Sequence, residues 1–226
     1  MNVQRRSFLK GMGLGGFAGL TLGSPLSFAS GTGAASAARP ILVLVSEAAV
    51  GSAFLQGIDA SAAGKPLEVQ RTDLGLEFIG TVGQRLRSTW PTRIIGLVDD
   101  ASATLIVDLA RSAGARLQWL GQHAVEAGQS RHCLQSSAAA RGCALQLGQH
   151  LKACGADFRL REQRVQSGQT ILELAMQGDG SAGGQWAASL GFVLASLGRF
   201  DGATAPKLAA TSAPAIGNFV SFSIET

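Results

Sequence analysis

Residues 41–45 read Ile-Leu-Val-Leu-Val, an apolar run without a polar break. A strand with one wet face alternates apolar and polar residues. An unbroken run is buried on both faces, the habit of parallel sheets covered by helices. The pattern then repeats. Residues 47–63 read as a helix ended by Gly64, and Leu67 to Arg71 as a short strand. Leu76 to Ser88 has Phe78, Ile79, Val82 and Leu86 at helical spacing, and Pro91 separates it from the strand Arg93 to Val98. Asp99-Asp100 opens a helix with Leu105, Ile106, Leu109 and Ala113 on one side, and Arg116 to Leu120 is a fourth strand. Strands alternating with helices predict the α/β class, with a βαβαβαβ core in a mostly parallel three-layer sheet.

The second half extends that core. Ser136 or Ser137 can cap a helix running to about Cys154. Asp157–Val165 and Thr170–Met176 flank a short loop and predict a β-hairpin. A glycine-rich loop leads to an apolar helix, Trp186 to Leu197, and Phe219 to Ile224 is a final strand. Residues 38–226 are expected to form a single α/β domain. Its pattern resembles one lobe of a periplasmic ligand-binding protein or a flavodoxin-like domain, and fold likeness of this kind does not license a function.

Ahead of that domain stands Gln4-Arg5-Arg6-Ser7-Phe8-Leu9-Lys10. The motif Arg5, Arg6, Phe8, Leu9, Lys10 resembles a twin-arginine (Tat) export signal, an address read by a receptor rather than an anchor. The stretch Gly11–Leu22 is glycine-rich and shorter than the ~18 apolar residues that a bilayer span needs. Pro25 breaks any helix there, and small-residue cleavage sites follow, after Ala29 or after Ala37. The resemblance implies transient engagement of the Tat translocase, no stable membrane anchor and delivery to the periplasm. Many proteins on that route fold around a cofactor first, but nothing in this sequence names one.

Charge narrows the partners. The net +4 arises from 19 Lys and Arg against 15 Asp and Glu. Arg5, Arg6 and Lys10 would leave with the signal, so 16 basic residues would face the same 15 acidic ones. The mature domain then lacks the basic footprint of a nucleic-acid binder.

Two groups of residues carry potential chemistry. In doubly wound sheets, ligands bind beyond the carboxyl ends of the strands. Those ends present Ser46 and Glu47, then Asp73, then Asp99 and Asp100, then His123. Such oxygen ligands suit a hard cation, and a carboxylate with an imidazole suits acid–base work. Glu47, Asp73, Asp99 and His123 are therefore expected to converge on one cleft. Asp and Ser after a strand are also ordinary helix caps, with Asp100 or Ser102 placed to cap the following helix. No nucleophile elbow, phosphate loop or dinucleotide fingerprint follows the first strand.

The second group holds every histidine and cysteine of the chain: His123, His132, Cys133, Cys143, His150 and Cys154. On a helix, Cys143, His150 and Cys154 share a face. His150 and Cys154 lie one turn apart and could share a metal, with Cys143 about 10 Å further along. The spacing matches no standard zinc framework. Packing of the cysteines as small buried hydrophobes is the favoured reading, with a Cys133–Cys143 disulfide and a metal or redox site as the alternatives.

Two function classes follow. One is a non-catalytic exported protein that binds a small ligand or serves an exported partner enzyme. The other is a metal- or cofactor-dependent enzyme using the acidic strand ends with His123, or the cysteine–histidine helix face.

Overall fold

The computed structural model describes residues 40–61, 67–165, 169–178, 184–197, 205, 207 and 215–226. The twin-arginine motif, its apolar stretch and both cleavage sites lie outside them. The elements are β1 (Ile41–Val45), α1 (Glu47–Val50), α2 (Phe54–Ser61), β2 (Leu67–Arg71), α3 (Leu76–Leu86), β3 (Arg93–Val98) and α4 (Asp100–Ser112). They continue with β4 (Arg116–Glu126), β5 (Gln129–Ser136), a 3-10 turn (Ala138–Ala140), α5 (Cys143–Ala153), β6 (Asp157–Arg164), β7 (Thr170–Met176), α6 (Gln185–Ala195) and β8 (Gly217–Glu225). No helix among them is long and apolar enough to cross a membrane.

All eight strands join one sheet, in the order β2-β1-β3-β8-β4-β5-β6-β7. The class is α/β, but the mostly parallel arrangement is corrected. Pairings β1–β2, β1–β3 and β5–β6 are parallel. Pairings β3–β8, β8–β4, β4–β5 and β6–β7 are antiparallel. β1 to β4 do run in one direction, because β8 is antiparallel to both β3 and β4. The last strand of the chain thus splits the run. Phe219 to Ile224 is buried at every position, which only a central strand covered on both faces can satisfy.

Local chemistry explains the other departures. The helix expected over 47–63 breaks into α1 and α2 at Gly51-Ser52. There the Ser52 hydroxyl donates to the Ala49 carbonyl at 2.6 Å and accepts from the Phe54 N–H at 3.4 Å. β4 continues six residues beyond Leu120 and turns through Ala127-Gly128 into β5, with Gly128 at φ +86°. A two-residue hairpin turn of this kind favours glycine. Ser136 ends β5, Ser137 caps only the 3-10 turn, and α5 begins after Gly142 at φ +84°.

Helices α1, α2, α5 and α6 cover one face of the sheet around Phe54, Ile58, Trp119, Leu147, Trp186 and Leu190. On the other face α3 and α4 bury Phe78, Val82 and Ile106 against β1, β3 and β8. Beyond β8 that second face is open among the described residues. In β5 the side chains alternate strictly, with Gln129, Arg131, Cys133 and Gln135 exposed and Ser130, His132, Leu134 and Ser136 buried. β6 repeats this with Arg159 and Arg161 exposed and Phe158, Leu160 and Glu162 buried.

Asp99, not Asp100 or Ser102, is the N-cap of α4. Its carboxylate accepts from the Ser102 N–H and the Ser102 hydroxyl, both at 2.8 Å. Burial pushes this carboxyl's pKa up, but the Ser102 hydrogen bonds outweigh it and hold the group below its ordinary value. Asp99→Ala is therefore expected to cost about 1 kcal/mol in urea unfolding, where a pure ligand-binding role would leave stability unchanged.

Candidate functional site

Ser46, Glu47, Asp73, Asp99 and Asp100 lie at the carboxyl ends of three neighbouring parallel strands, β1, β2 and β3. Most of them have local structural work. Asp73 accepts from the Gly75 N–H at 2.8 Å, Glu47 pairs with Arg71 on the surface, and Asp99 caps α4. Asp100 is an exposed first-turn residue of α4. The Ser46 hydroxyl is buried with no hydrogen-bond partner among the described residues.

His123 is not with them, and the single-cleft expectation is corrected. It sits inside β4, three residues before the strand ends, with its side chain on the face under α6. It is 2% exposed, and its register partner His132 on β5 is 1% exposed. Their Nδ1 atoms are 2.8 Å apart. His123 Nε2 lies 2.7 Å from Ser221 Oγ on β8, which also accepts from the Trp119 indole N–H at 3.0 Å. His132 Nε2 lies 3.0 Å from Ser130 Oγ, whose hydroxyl donates to the Asp157 carbonyl at 3.4 Å. Trp186 stacks at a tilt over both imidazoles, with ring centroids 5.4 and 5.8 Å away.

The ends of this chain fix its polarity. An indole N–H only donates and a carbonyl only accepts. Every group is satisfied when Trp119 donates to Ser221, Ser221 to His123 Nε2, His123 Nδ1–H to His132 Nδ1, His132 Nε2–H to Ser130, and Ser130 to Asp157. Reversing the histidine pair leaves the Ser221 proton without an acceptor in the chain. Both imidazoles are neutral. Burial, then the neighbouring His132, depresses His123 well below its ordinary pKa, and burial brings His132 to about 4. A proton relay needs an exchangeable group at each end, whereas this chain stops at an indole and a backbone carbonyl. It is a buried cross-link of β8, β4, β5 and β6. Gly121 makes room for it, since a Cβ there would stand 2.7 Å from Ser221 Oγ and 2.8 Å from His123 Nε2.

The helix face is as the spacing suggested. Cys143 and His150 on α5 are buried, and Cys154 at its end is partly so. The His150 ring packs edge-on against Phe192, its Nδ1 has no partner among the described residues, and burial lowers its pKa. Burial raises the Cys154 thiol, opposed by nearby Lys207. Cys133 and Cys154 are free thiols. Cys133 faces the open side of the sheet while Cys143 belongs to the core on the other side, so the sheet itself stands between them. Among the described residues no three of His, Cys, Asp and Glu converge to hold a metal ion.

The remaining surface was not legible as a site. On the open face, Leu120, Gln122, Cys133, Gln135, Arg161 and Gln163 line a shallow depression of ≈ 170 Å³. Register places Gln122 beside Cys133 and Cys133 beside Arg161. Arg161 is held by Thr170, to whose hydroxyl its Nε and Nη2 donate at 3.1 and 2.9 Å. Apart from Cys133, these residues carry no motif. They converge because alternation puts every second side chain of three adjacent strands on one side. Compared with protein families, characterised proteins and solved structures, the chain matches none.

Proposed function

We propose that this is a protein exported to the periplasm by the twin-arginine route, whose mature domain binds a small ligand without catalysing a reaction. The open face of β4–β7 carries this reading. It offers amides, a guanidinium and a thiol around one depression, with no covering element among the described residues. Several residues that a mechanism would call on have other duties. Asp99 and Asp73 bond to neighbouring backbone N–H groups, and His123 and His132 bond to each other in the core.

Export and binding are tested separately. Changing Arg5 and Arg6 together to Lys is expected to leave precursor in the cytoplasm, because Lys does not reproduce a paired guanidinium. Undiminished mature protein in the periplasm would count against the route. For binding, Cys133 is a built-in reporter. Maleimide labelling of the purified protein is expected to modify Cys133 readily, and small molecules of a periplasmic extract to slow it, with Cys133→Ser as the blank. Labelling at the same rate with and without the extract would remove the binding face.

A further inference from the structure

One row below that depression, the same face carries an arginine pair. Arg131 on β5 and Arg159 on β6 are register partners on neighbouring parallel strands, and both are exposed. Adjacent strands stand only about 4.8 Å apart, so two guanidinium groups start from one spot. Like charges side by side in a sheet are unfavourable. Among the described residues neither arginine makes an ion pair or a side-chain hydrogen bond. Asp157, two residues before Arg159, accepts from Gln129 at 3.3 Å. Arg161 is held by Thr170. The pair is flanked in register by Ala124 on β4 and Ala175 on β7, whose small side chains leave the floor open on both sides. Ala124, Glu126, Gln129, Arg131 and Arg159 line a depression of ≈ 140 Å³.

We infer that Arg131 and Arg159 form an anion-binding subsite that holds the carboxylate or phosphate group of a small molecule lying along the open sheet face. This rests on the binding-face reading above and names the ligand's chemistry. A guanidinium offers a planar fork of donors matched to such oxyanions. Two forks on adjacent strands can grip one anionic group from two sides. Glu126 on the rim disfavours a highly charged ligand, so a single anionic group fits better than a polyanion. Gln122, Cys133 and Gln135 in the next rows would face the uncharged remainder of the molecule.

Titration of the full mature protein with inorganic phosphate and, separately, with succinate at low ionic strength tests this, read by NMR shifts of the β5 and β6 amides. Saturable binding of either probe is expected, weakened at least about tenfold by Arg131→Gln and by Arg159→Gln. Arg111→Gln on α4, whose partner is Asp108, should leave it unchanged. Binding of phosphate alone assigns a phosphate-bearing ligand, of succinate alone a carboxylate, and of both the shared oxyanion chemistry. No saturable shift with either probe, or shifts that survive both arginine changes, overturns the subsite. Cys133 protection by the extract that persists in the Arg131→Gln/Arg159→Gln variant would overturn the anion inference and leave the binding face standing.

Discussion

Gly57→Ala is expected to destabilise the protein by about 2 kcal/mol, whereas Gly80→Ala is expected to stabilise it by up to about 1 kcal/mol. Both glycines lie inside helices, α2 and α3, so propensity alone favours alanine at each. The surroundings decide the sign. A Cβ at Gly80 meets nothing within 4 Å. A Cβ at Gly57 would overlap the Ala188 carbonyl oxygen of α6 and lie 2.7 Å from its carbon. The contact is reciprocal, for a Cβ at Gly191 of α6 would overlap the Phe54 carbonyl oxygen of α2 and lie 3.1 Å from its carbon. Two helices pack here backbone to backbone through one glycine each. Neither can step aside easily, because every residue of α6 is buried. Helices must then separate toward the ordinary 8–10 Å spacing, which loosens Trp186 over the histidine pair. Gly57→Val should cost more than Gly57→Ala. The Gly57→Ala/Gly191→Ala double variant should cost less than the two changes summed, since one separation relieves both clashes. Urea midpoints that rise for Gly57→Ala as they do for Gly80→Ala would refute the close packing.

Such a contact is invisible in sequence, and the limits of what the sequence carries follow the same physics. β1 and β3 lie where the apolar runs put them, because a strand buried on both faces cannot hide its composition. β5 does hide it. Its buried positions are Ser130, His132, Leu134 and Ser136, so a perfect structural alternation carries only one apolar residue in four. The far half of β4 is masked in the same way by Gly121 and His123. Those polar residues are tolerated in the core because they bond to one another, which is a pairing between strands and leaves no trace along one strand. The insertion of β8 between β3 and β4 is likewise non-local. The one-residue shift of the α4 cap from Asp100 to Asp99 reflects the choice between two adjacent, chemically equal carboxylates. Cys143, His150 and Cys154 were legible as a shared face because helical periodicity is local. The arginine pair was not, because Arg131 and Arg159 meet only once β5 and β6 are laid side by side.

Acidification is expected to destabilise the protein between about pH 6.5 and 4. In the unfolded chain each imidazole takes up its proton near 6.5. In the fold, burial holds His132 at about 4, and His123 is also well below its ordinary value. Within that window the unfolded chain binds protons that the fold excludes, so stability falls as pH falls. The contribution is fully present above pH 6.5. His132 alone removes about 3 kcal/mol of it by pH 4, against a total stability of about 5–15 kcal/mol for a typical domain. His123 acts in the same direction, though the two titrate as a coupled pair. A single proton occupies the 2.8 Å Nδ1–Nδ1 bond, so protonating the acceptor sets two N–H groups face to face and breaks the link. No carboxylate within the chain of bonds can hold the resulting imidazolium. Its neighbours are Ser130, Ser221, Trp119 and Trp186, and Asp157 offers only its carbonyl oxygen. Asp99, held below the ordinary carboxylate value, loses its capping charge only at lower pH, outside this window. His150, which burial also lowers, adds a smaller slope that His150→Gln removes. Urea unfolding of His150→Gln at about pH 7.5 and about pH 4.5 should therefore still show a fall of several kcal/mol. His132→Gln, which cannot take up the proton, should be less stable at neutral pH through its lost bond yet flatter with pH. A His150→Gln variant equally stable at both pH values would mean that the imidazoles of β4 and β5 are not sealed from protons in the fold.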